Sequence, residues 1–173
     1  ASVAGAADSA SVEVAGVTGG AAITTAGIES LTVTSSSSAN SIDIEADAAT
    51  SLTLSGSAAL TVASLATGGN SVNIETIDAS GNSAGVTLTT GNQSGLGAAS
   101  TLTVTGTAAA DTIDVSGHTA SDVSVSAGAG NDTVTVALGA DDVVAGGDGT
   151  DRLTTSASAN AAGVSGFEIY EAT

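Results

Sequence analysis

The chain has 173 residues, of which 18 are Asp or Glu and one is basic, so its formal net charge is −17. This charge excludes nucleic acid and anionic membrane surfaces as expected partners. Cys, Pro, Met and Trp are absent and aromatic residues make up 1% of the chain, which excludes disulfides, thiolate metal sites and a thick aromatic core. No apolar run approaches the roughly 18 residues of a membrane span, so no membrane insertion is expected.

Short strands are predicted about every ten residues along the chain. Each is marked by an apolar, polar, apolar triplet, which is typical of a strand with one buried face. In chain order the triplets begin at Val12, Leu31, Ile42, Leu52, Leu60, Val72, Val86, Leu102, Ile113, Val123 and Val134. Gly, Ser, Asn, Asp and Ala clusters between them supply turns. The pattern predicts an all-β fold, a right-handed parallel β-solenoid or β-roll whose coils bury small apolar side chains against one another.

In residues 1–105 a longer period suggests the number of strands in each coil. Similar four-residue stretches start at Ser11, Ser41 and Ser71, thirty residues apart, and Thr101 starts another one period later. Three strands of about ten residues would fill such a period. We therefore predict three strands per coil in this part of the chain.

From Ala108 onward the period is shorter. Asp111, Asp132 and Asp151 are separated by 21 and 19 residues, and predicted strands recur at about half that interval. This spacing predicts two strands per coil. We accordingly divide the chain into Ala/Ser/Thr-rich solenoid repeats over 1–105, a β-roll over 106–155, and a terminal strand or cap over 156–173.

The alternative for residues 1–105 is an antiparallel β-sandwich, which also has short strands at intervals of eight to twelve residues. A sandwich interior about 10 Å thick usually contains larger side chains, and the aromatic residues Phe167 and Tyr170 both lie outside this region. The solenoid is therefore favoured. Because the chain starts at Ala1 without Met, and residues 1–20 show no secretory leader, we expect a piece of a longer protein.

One nine-residue stretch indicates metal chemistry. The residues from Gly146 to Thr154, GGDGTDRLT, fit every position of the nonapeptide G-G-x-G-x-D-x-U-x of calcium-binding parallel β-rolls. Its glycines allow sharp turns that direct carbonyl oxygens toward a cation, and its Asp supplies a carboxylate. The candidate ligands in this copy are Gly147, Asp148, Gly149 and Asp151.

A second copy lies upstream, over Ala127–Thr135, with the first Gly replaced by Ala. Its candidate ligands are Gly128, Gly130, Asn131 and Asp132. In a β-roll each ion lies between turns stacked on one edge, so Asp132 is expected to pair with Asp151 across one coil. The alternative interpretation is that these are ordinary Asp-Gly turns, in which Asp caps backbone groups and Gly supplies positive φ.

Two weaker copies extend the pattern. Residues 139–144 form a half-turn in which Asp142 is expected on the opposite edge, and residues 106–113 lack two of the glycines. Asp111 in the latter copy is a candidate to pair with Asp132. If calcium is the cofactor, repulsion among the turn carboxylates should leave at least Ala108 to Thr155 disordered without it.

These nonapeptides resemble those of RTX (repeats-in-toxin) proteins, and the Ala/Thr/Ser/Val-rich remainder looks like RTX-type surface-layer (S-layer) proteins of Gram-negative bacteria. A phrase of the form apolar-Glu-x-apolar, at Glu29, Glu75 and Glu168, adds to this resemblance. The resemblance implies Ca²⁺ as cofactor, secretion, calcium-dependent folding outside the cell and self-assembly into a cell-surface lattice. It also implies an anchor to surface polysaccharide through another region. The three Glu are interpreted as turn caps or solvent-exposed groups rather than ligands.

Catalysis is not expected. His118 is the single histidine, it lies in a Gly-His-Thr turn and is interpreted as an exposed loop residue, and aromatics that would line a sugar cleft are absent. The leading function is thus a structural segment of a surface layer. Two alternatives stay open: an adhesin that uses outward Thr rows, such as Thr32 with Thr34, to bind ice or glycans, and the accessory RTX tail of a secreted protease or lipase.

Overall fold

The computed structural model describes residues 8–65, 73–91, 100–118, 122–156 and 161–173. Its strands, in chain order, are β1 Ser9–Ala15, β2 Ala21–Thr25, β3 Ser30–Ser36, β4 Asn40–Ala46, β5 Ser51–Gly56, β6 Leu60–Leu65, β7 Thr76–Asn82, β8 Val86–Thr89, β9 Thr101–Thr105, β10 Thr112–Asp114, β11 Asp122–Ala129, β12 Thr133–Val136, β13 Val143–Asp148, β14 Arg152–Thr155, β15 Val164–Ser165 and β16 Ile169–Ala172. A 3₁₀ turn, Ala161–Gly163, precedes β15. No helix among these residues is long and apolar enough to span a membrane.

The strands form two eight-stranded sheets, one containing the odd-numbered strands and the other the even-numbered strands. Every recorded strand pair is parallel and joins strands two apart in sequence. This is the arrangement of a β-solenoid in which each coil contributes one strand to each sheet. The prediction of an all-β parallel solenoid is confirmed, and the antiparallel sandwich is excluded. The triplet predicted at Val72 begins outside the described residues.

The prediction of three strands per coil in residues 1–105 is wrong. Ser9 of β1 pairs with Ser30 of β3, and Ser30 pairs with Ser51 of β5, so one coil takes 21 residues and two strands. The thirty-residue similarity between Ser11 and Ser41 relates β1 of the odd sheet to β4 of the even sheet. It arises because a strand and its turn occupy about ten residues in either sheet, so stretches one and a half coils apart look alike.

The core is a continuous column of small apolar side chains between the two sheets. Leu31, Leu52 and Ile77 occupy one register position in successive odd strands, and all three are fully buried. Burial alternates along the strands, so that inward apolar and outward hydroxyl side chains follow the period of two that a pleated strand dictates. Each buried Leu or Ile contributes about 1.5–3 kcal/mol of transfer free energy, and each contacts mainly the coil before and the coil after.

The coil length can be tested by deletion. Removal of residues 30–50 takes out one coil of 21 residues and lets Ser51 take the place of Ser30 beside Ser9. We expect this variant to keep its far-UV circular dichroism and a cooperative thermal transition, because stability in a solenoid is close to a sum over neighbouring coils.

The matched control removes residues 30–59, the thirty-residue period seen in the sequence. It joins β6 directly after β2 and would place an even-sheet strand in the odd sheet, so we expect it to lose the cooperative transition. Equal stability of the two deletions would contradict the two-strand coil.

Candidate metal centre

Three aspartates form a column along one edge of the solenoid. Asp111, Asp132 and Asp151 immediately precede β10, β12 and β14, and these strands pair in register, with Thr112 beside Thr133 and Thr133 beside Arg152. The three residues, called here the aspartate column, are at most 3% exposed. Parallel stacking therefore brings together like charges that are far apart in sequence.

Hydrogen bonds between coils hold this column in place. The Asp111 N–H donates to Asp132 Oδ1 and the Asp132 N–H donates to Asp151 Oδ1, both at 2.8 Å. The Asp151 N–H in turn donates to Oε2 of Glu168, also at 2.8 Å. In each carboxylate, one oxygen thus accepts a hydrogen bond from a backbone N–H of the preceding coil.

The second oxygens of two of these carboxylates have no partner. Asp132 Oδ2 and Asp151 Oδ2 are buried from solvent and accept no hydrogen bond among the described residues. A buried carboxylate oxygen without a partner is costly, because nothing replaces the water it has lost. A proton, a buried water molecule or a cation at each of these atoms would lower that cost.

The first Gly of the full nonapeptide packs closely against Asp151. A Cβ added at Gly146 would lie 2.7 Å from Asp151 Oδ2 and would collide with the carbonyl oxygen of Gly166. The turn at Gly146 therefore has no room for a side chain, and two oxygens lie close to the place where a Cβ would be. In the neighbouring coil Ala127 is the residue that corresponds to Gly146, so a methyl group is accommodated there.

Backbone carbonyl oxygens of the nonapeptide glycines also lie at the edge of the solenoid that carries the aspartate column. Gly128 and Gly147 have φ of 115° and 112°, and a Cβ at Gly147 would collide with the carbonyl oxygen of Gly128. Gly130 and Gly149 repeat the relation, with φ of 124° and 144°. Glycine is needed at these positions both for the left-handed backbone and for the close approach of one turn to the next.

Asp111 and Asp142 differ from this pair because both of their carboxylate oxygens are bonded. Asp111 Oδ2 accepts from the Thr107 N–H at 2.6 Å, while its Oδ1 accepts from the Val86 N–H at 2.8 Å and from the Thr107 hydroxyl at 2.9 Å. Asp142 lies on the opposite edge, before β13, and accepts from the N–H groups of Val123 and Gly139 at 2.8 and 2.6 Å. Neither carboxylate needs a cation to satisfy its oxygens.

The two remaining side chains predicted as ligands lie at the outside of the turns. Asn131 is exposed, and its Oδ1 accepts from the Thr150 N–H of the next coil at 3.0 Å. The Asp148 side chain is exposed as well. Among the described residues no three His, Cys, Asp or Glu side chains group around one point, so a cation at this edge would depend on carbonyl and amide oxygens in addition to carboxylates.

Burial raises the pKa of two members of the column. The pKa of Asp132 is raised from 3.8 to about 6, first by burial and then by the neighbouring charges of Asp111 and Asp151, against the lowering effect of its bond from the Asp111 N–H. Burial also raises the pKa of Asp111, although the bonds from Thr107 and Val86 oppose the shift. Burial and mutual repulsion therefore make the ionised forms of Asp111 and Asp132 unfavourable, and a bound cation would stabilise these ionised forms.

Sequence reasoning on His118 is corrected by the structure. His118 was expected to be an exposed loop residue, yet it is 3% exposed. Its backbone N–H donates to the carbonyl of Val115 at 3.0 Å, so the turn folds back against the coil. Burial lowers the pKa of the imidazole, and the charge of Asp142 opposes this shift.

Sequence reasoning missed the parts that Thr107 and Gly166 play at this edge. The signal for Thr107 was its position, since it replaces the second Gly of the nonapeptide. Glu29 and Glu168 act as turn caps: Glu29 Oε2 accepts from the Asp8 N–H at 2.7 Å, and Glu168 Oε2 accepts from the Asp151 N–H.

Comparison of the chain with protein-family models, curated proteins and solved structures gives no match.

The raised pKa of Asp132 predicts how the metal-free protein responds to pH. Because the folded-state pKa of about 6 exceeds the ordinary value of 3.8, the folded state binds the proton more tightly, and its stability falls as pH rises from about 4 to about 6. We expect the melting temperature in chelator to be higher at pH 5 than at pH 8. Asp132→Asn keeps an acceptor for the Asp111 N–H and removes the charge, so it should raise the melting temperature at pH 8 and weaken the pH dependence.

The control for this prediction is Asp47→Asn, which removes one negative charge at an exposed position. Differential scanning calorimetry in chelator at several pH values measures both variants. Identical effects of the two substitutions on the melting temperature and its pH dependence would contradict the raised pKa of Asp132.

Proposed function

We propose that this chain is a structural, calcium-binding segment of a secreted bacterial surface-layer protein, in which Ca²⁺ drives folding of the coils and assembly of copies into a lattice. The observation that carries the proposal is the pair of buried, unpartnered oxygens, Asp132 Oδ2 and Asp151 Oδ2. They lie in the two turns that follow the nonapeptide most closely. The parallel solenoid agrees with a structural role, since it presents two extended faces and a regular core.

The donors available at this edge favour calcium over other metals. Ca²⁺ takes six to eight oxygen ligands in flexible geometry, whereas Mg²⁺ requires a near-ideal octahedron and Zn²⁺ prefers His or Cys. The candidate donors are all oxygens: the carboxylates of Asp132, Asp151 and Asp148, the amide oxygen of Asn131, and the carbonyls of Gly128, Gly130, Gly147, Gly149 and Gly166. When bound, the cation supplies positive charge that offsets the mutual repulsion of the column.

A secreted location is proposed by analogy with other calcium-binding modules. Extracellular calcium modules commonly have Kd values of about 10⁻⁴ to 10⁻³ M, far above cytosolic calcium levels. A site of this affinity is empty inside the cell and filled outside it. A ligand that binds only the folded state adds about 2.7 kcal/mol of stability at a hundredfold excess over Kd, so the coils would close after export.

Assembly of copies is supported by charge and surface chemistry. A net charge of −17 makes copies repel one another unless cations neutralise them. Outward positions of the sheets carry mainly Thr and Ser hydroxyls, as in the in-register pair Thr32 and Thr53. We therefore propose calcium-mediated self-association, with attachment to cell-surface polysaccharide through another region of the protein.

One observation favours a second candidate, an adhesin that binds ice or glycans. Outward hydroxyls repeat in register across coils of the odd sheet: Ser11, Thr32 and Thr53 share one position, and Thr105 and Ser126 share it in β9 and β11. Thr34 and Ser55 hydrogen bond to each other at 3.1 Å, so part of this hydroxyl surface satisfies itself. We rank the adhesin second for that reason.

Calcium binding is tested on the full chain by calorimetric titration and thermal melting after treatment with chelator. At a hundredfold excess of Ca²⁺ over Kd, each site should raise the melting temperature by roughly 5–10 °C, from about 2.7 kcal/mol and about 2–4 °C per kcal/mol for a chain of this size. The double variant Asp132→Asn with Asp151→Asn should lose the heat of binding and this rise. Asp47→Asn, at an exposed site, should keep both, and an unchanged response in the double variant would refute the site.

Self-association is tested by sedimentation velocity at increasing Ca²⁺. We expect larger species to appear over the same calcium range as the gain in thermal stability, because both depend on neutralised carboxylates. The double variant provides the matched control. A calcium-stabilised protein that stays monomeric would contradict assembly, and ice shaping or glycan retention by that monomer would favour the adhesin.

A further inference from the structure

The turn that begins at Gly106 differs from the two turns stacked after it at one decisive position. Register places Thr107 where the next coils have Gly128 and Gly147. The two glycines have positive φ, whereas Ser37 is the one described non-glycine residue with positive φ, so Thr107 does not share their conformation. The backbone N–H at this position therefore points differently in the first turn from the following two.

In the first turn this difference supplies the donors that the aspartate needs. The Thr107 N–H donates to Asp111 Oδ2 at 2.6 Å and its hydroxyl donates to Oδ1 at 2.9 Å. The Ala109 N–H closes the loop by donating to the Thr107 hydroxyl at 2.9 Å. The equivalent Oδ2 atoms of Asp132 and Asp151 have no such partner. Thr107 thus satisfies the Asp111 carboxylate with hydrogen bonds, and in the proposed site a cation would satisfy the Oδ2 atoms of Asp132 and Asp151.

The closed turn also carries the acceptors on which the next coil docks. The Ala129 N–H donates to the carbonyl of Thr107 at 3.2 Å, and the Thr133 N–H donates to the carbonyl of Asp111 at 2.9 Å. In the opposite direction, the Asp111 N–H donates to Asp132 Oδ1. Two of these three bonds have carbonyl oxygens of the first turn as acceptors, and the third has Asp132 Oδ1 as its acceptor.

We propose that the Gly106–Asp111 turn is the boundary of the calcium-dependent region: it closes without a cation and is the preformed edge on which the coils from Ala127 onward fold when calcium binds. This inference rests on the calcium-binding function proposed above and specifies how that site is regulated. It moves the start of the calcium-dependent segment from Ala108 to beyond Asp111. The N-terminal coils, up to β10, then form a permanent template.

The test is hydrogen exchange of the full chain, in chelator and with about 10 mM Ca²⁺, roughly ten times the Kd of weak extracellular modules. Amides of Val86, Thr107 and Ala109, whose acceptors lie in the Gly106–Asp111 turn, should exchange at the same rate in both conditions. Amides of residues 128–136 and 143–155 should be slowed by calcium by about tenfold or more, because local opening sets exchange.

The variant that tests the mechanism is Thr107→Gly, which removes the hydroxyl and allows the backbone of the later turns. In chelator it should speed exchange at Val86 and at positions 107 and 109 by about tenfold, and calcium should restore protection. Thr107→Ser keeps both donors and should behave like the parent chain. Ala108→Gly, at an exposed position of the same turn, adds the same backbone freedom without removing a donor and should leave the calcium dependence unchanged.

If Thr107→Gly fails to fold even with calcium, Thr107→Val decides the matter, because it keeps the side-chain size and removes only the hydroxyl. It should lower protection at Val86 and Ala109 in chelator. Calcium-dependent exchange at Val86, Thr107 and Ala109 equal to that at residues 128–136 and 143–155 in the parent chain would overturn this inference alone. Absence of any calcium effect along the chain would overturn the proposed function together with it.

Discussion

Parallel stacking governs this molecule, because along most of each strand it places a side chain beside the equivalent position of the coil before and the coil after. Among the described strand pairs, the register shifts within β4–β6 and within β5–β7. In the interior the result is favourable: Leu31, Leu52 and Ile77 form a continuous apolar column. At the edge the same rule stacks Asp111, Asp132 and Asp151, and like charges in a buried column repel. The fold thus buries three carboxylates close together, and groups in the turns must compensate for their lost hydration and mutual repulsion.

The buried aspartates of the turns fall into two groups, which differ in the hydrogen bonds that their carboxylates accept. At Asp111 and Asp142, protein donors satisfy both carboxylate oxygens, so these turns are complete by themselves. At Asp132 and Asp151 one oxygen bonds to the preceding coil and the other is left bare. Glycine at the second position of the nonapeptide lacks the hydroxyl of Thr107, and its backbone has positive φ. In these glycine-rich turns the second carboxylate oxygen is buried without a partner among the described residues, and the proposed calcium site is placed at this oxygen.

Sequence periodicity predicted the parallel solenoid and the strand interval, because alternation of apolar and polar residues directly reflects the pleat. It failed on coil length in residues 1–105. Strands of both sheets share the same alternation, so similarity between Ser11 and Ser41 could not reveal that they belong to opposite sheets. The spacing of the three aspartates was a safer guide, since a turn residue with a specific partner occurs once per coil. His118 was misjudged because a turn sequence does not report whether the turn folds inward.

The amino-acid sequence by itself determined that the chain is all-β, that its coils stack in parallel, and which two turns match a calcium-binding nonapeptide, because these properties depend on local alternation and on residues a few positions apart. The tertiary structure alone decided which carboxylate oxygens have partners. Asp111 and Asp151 occupy similar motifs, yet the Thr107 N–H reaches Oδ2 of Asp111, whereas no donor among the described residues reaches Oδ2 of Asp151. That outcome depends on backbone φ and on atoms contributed by adjacent coils, which no single stretch of sequence specifies.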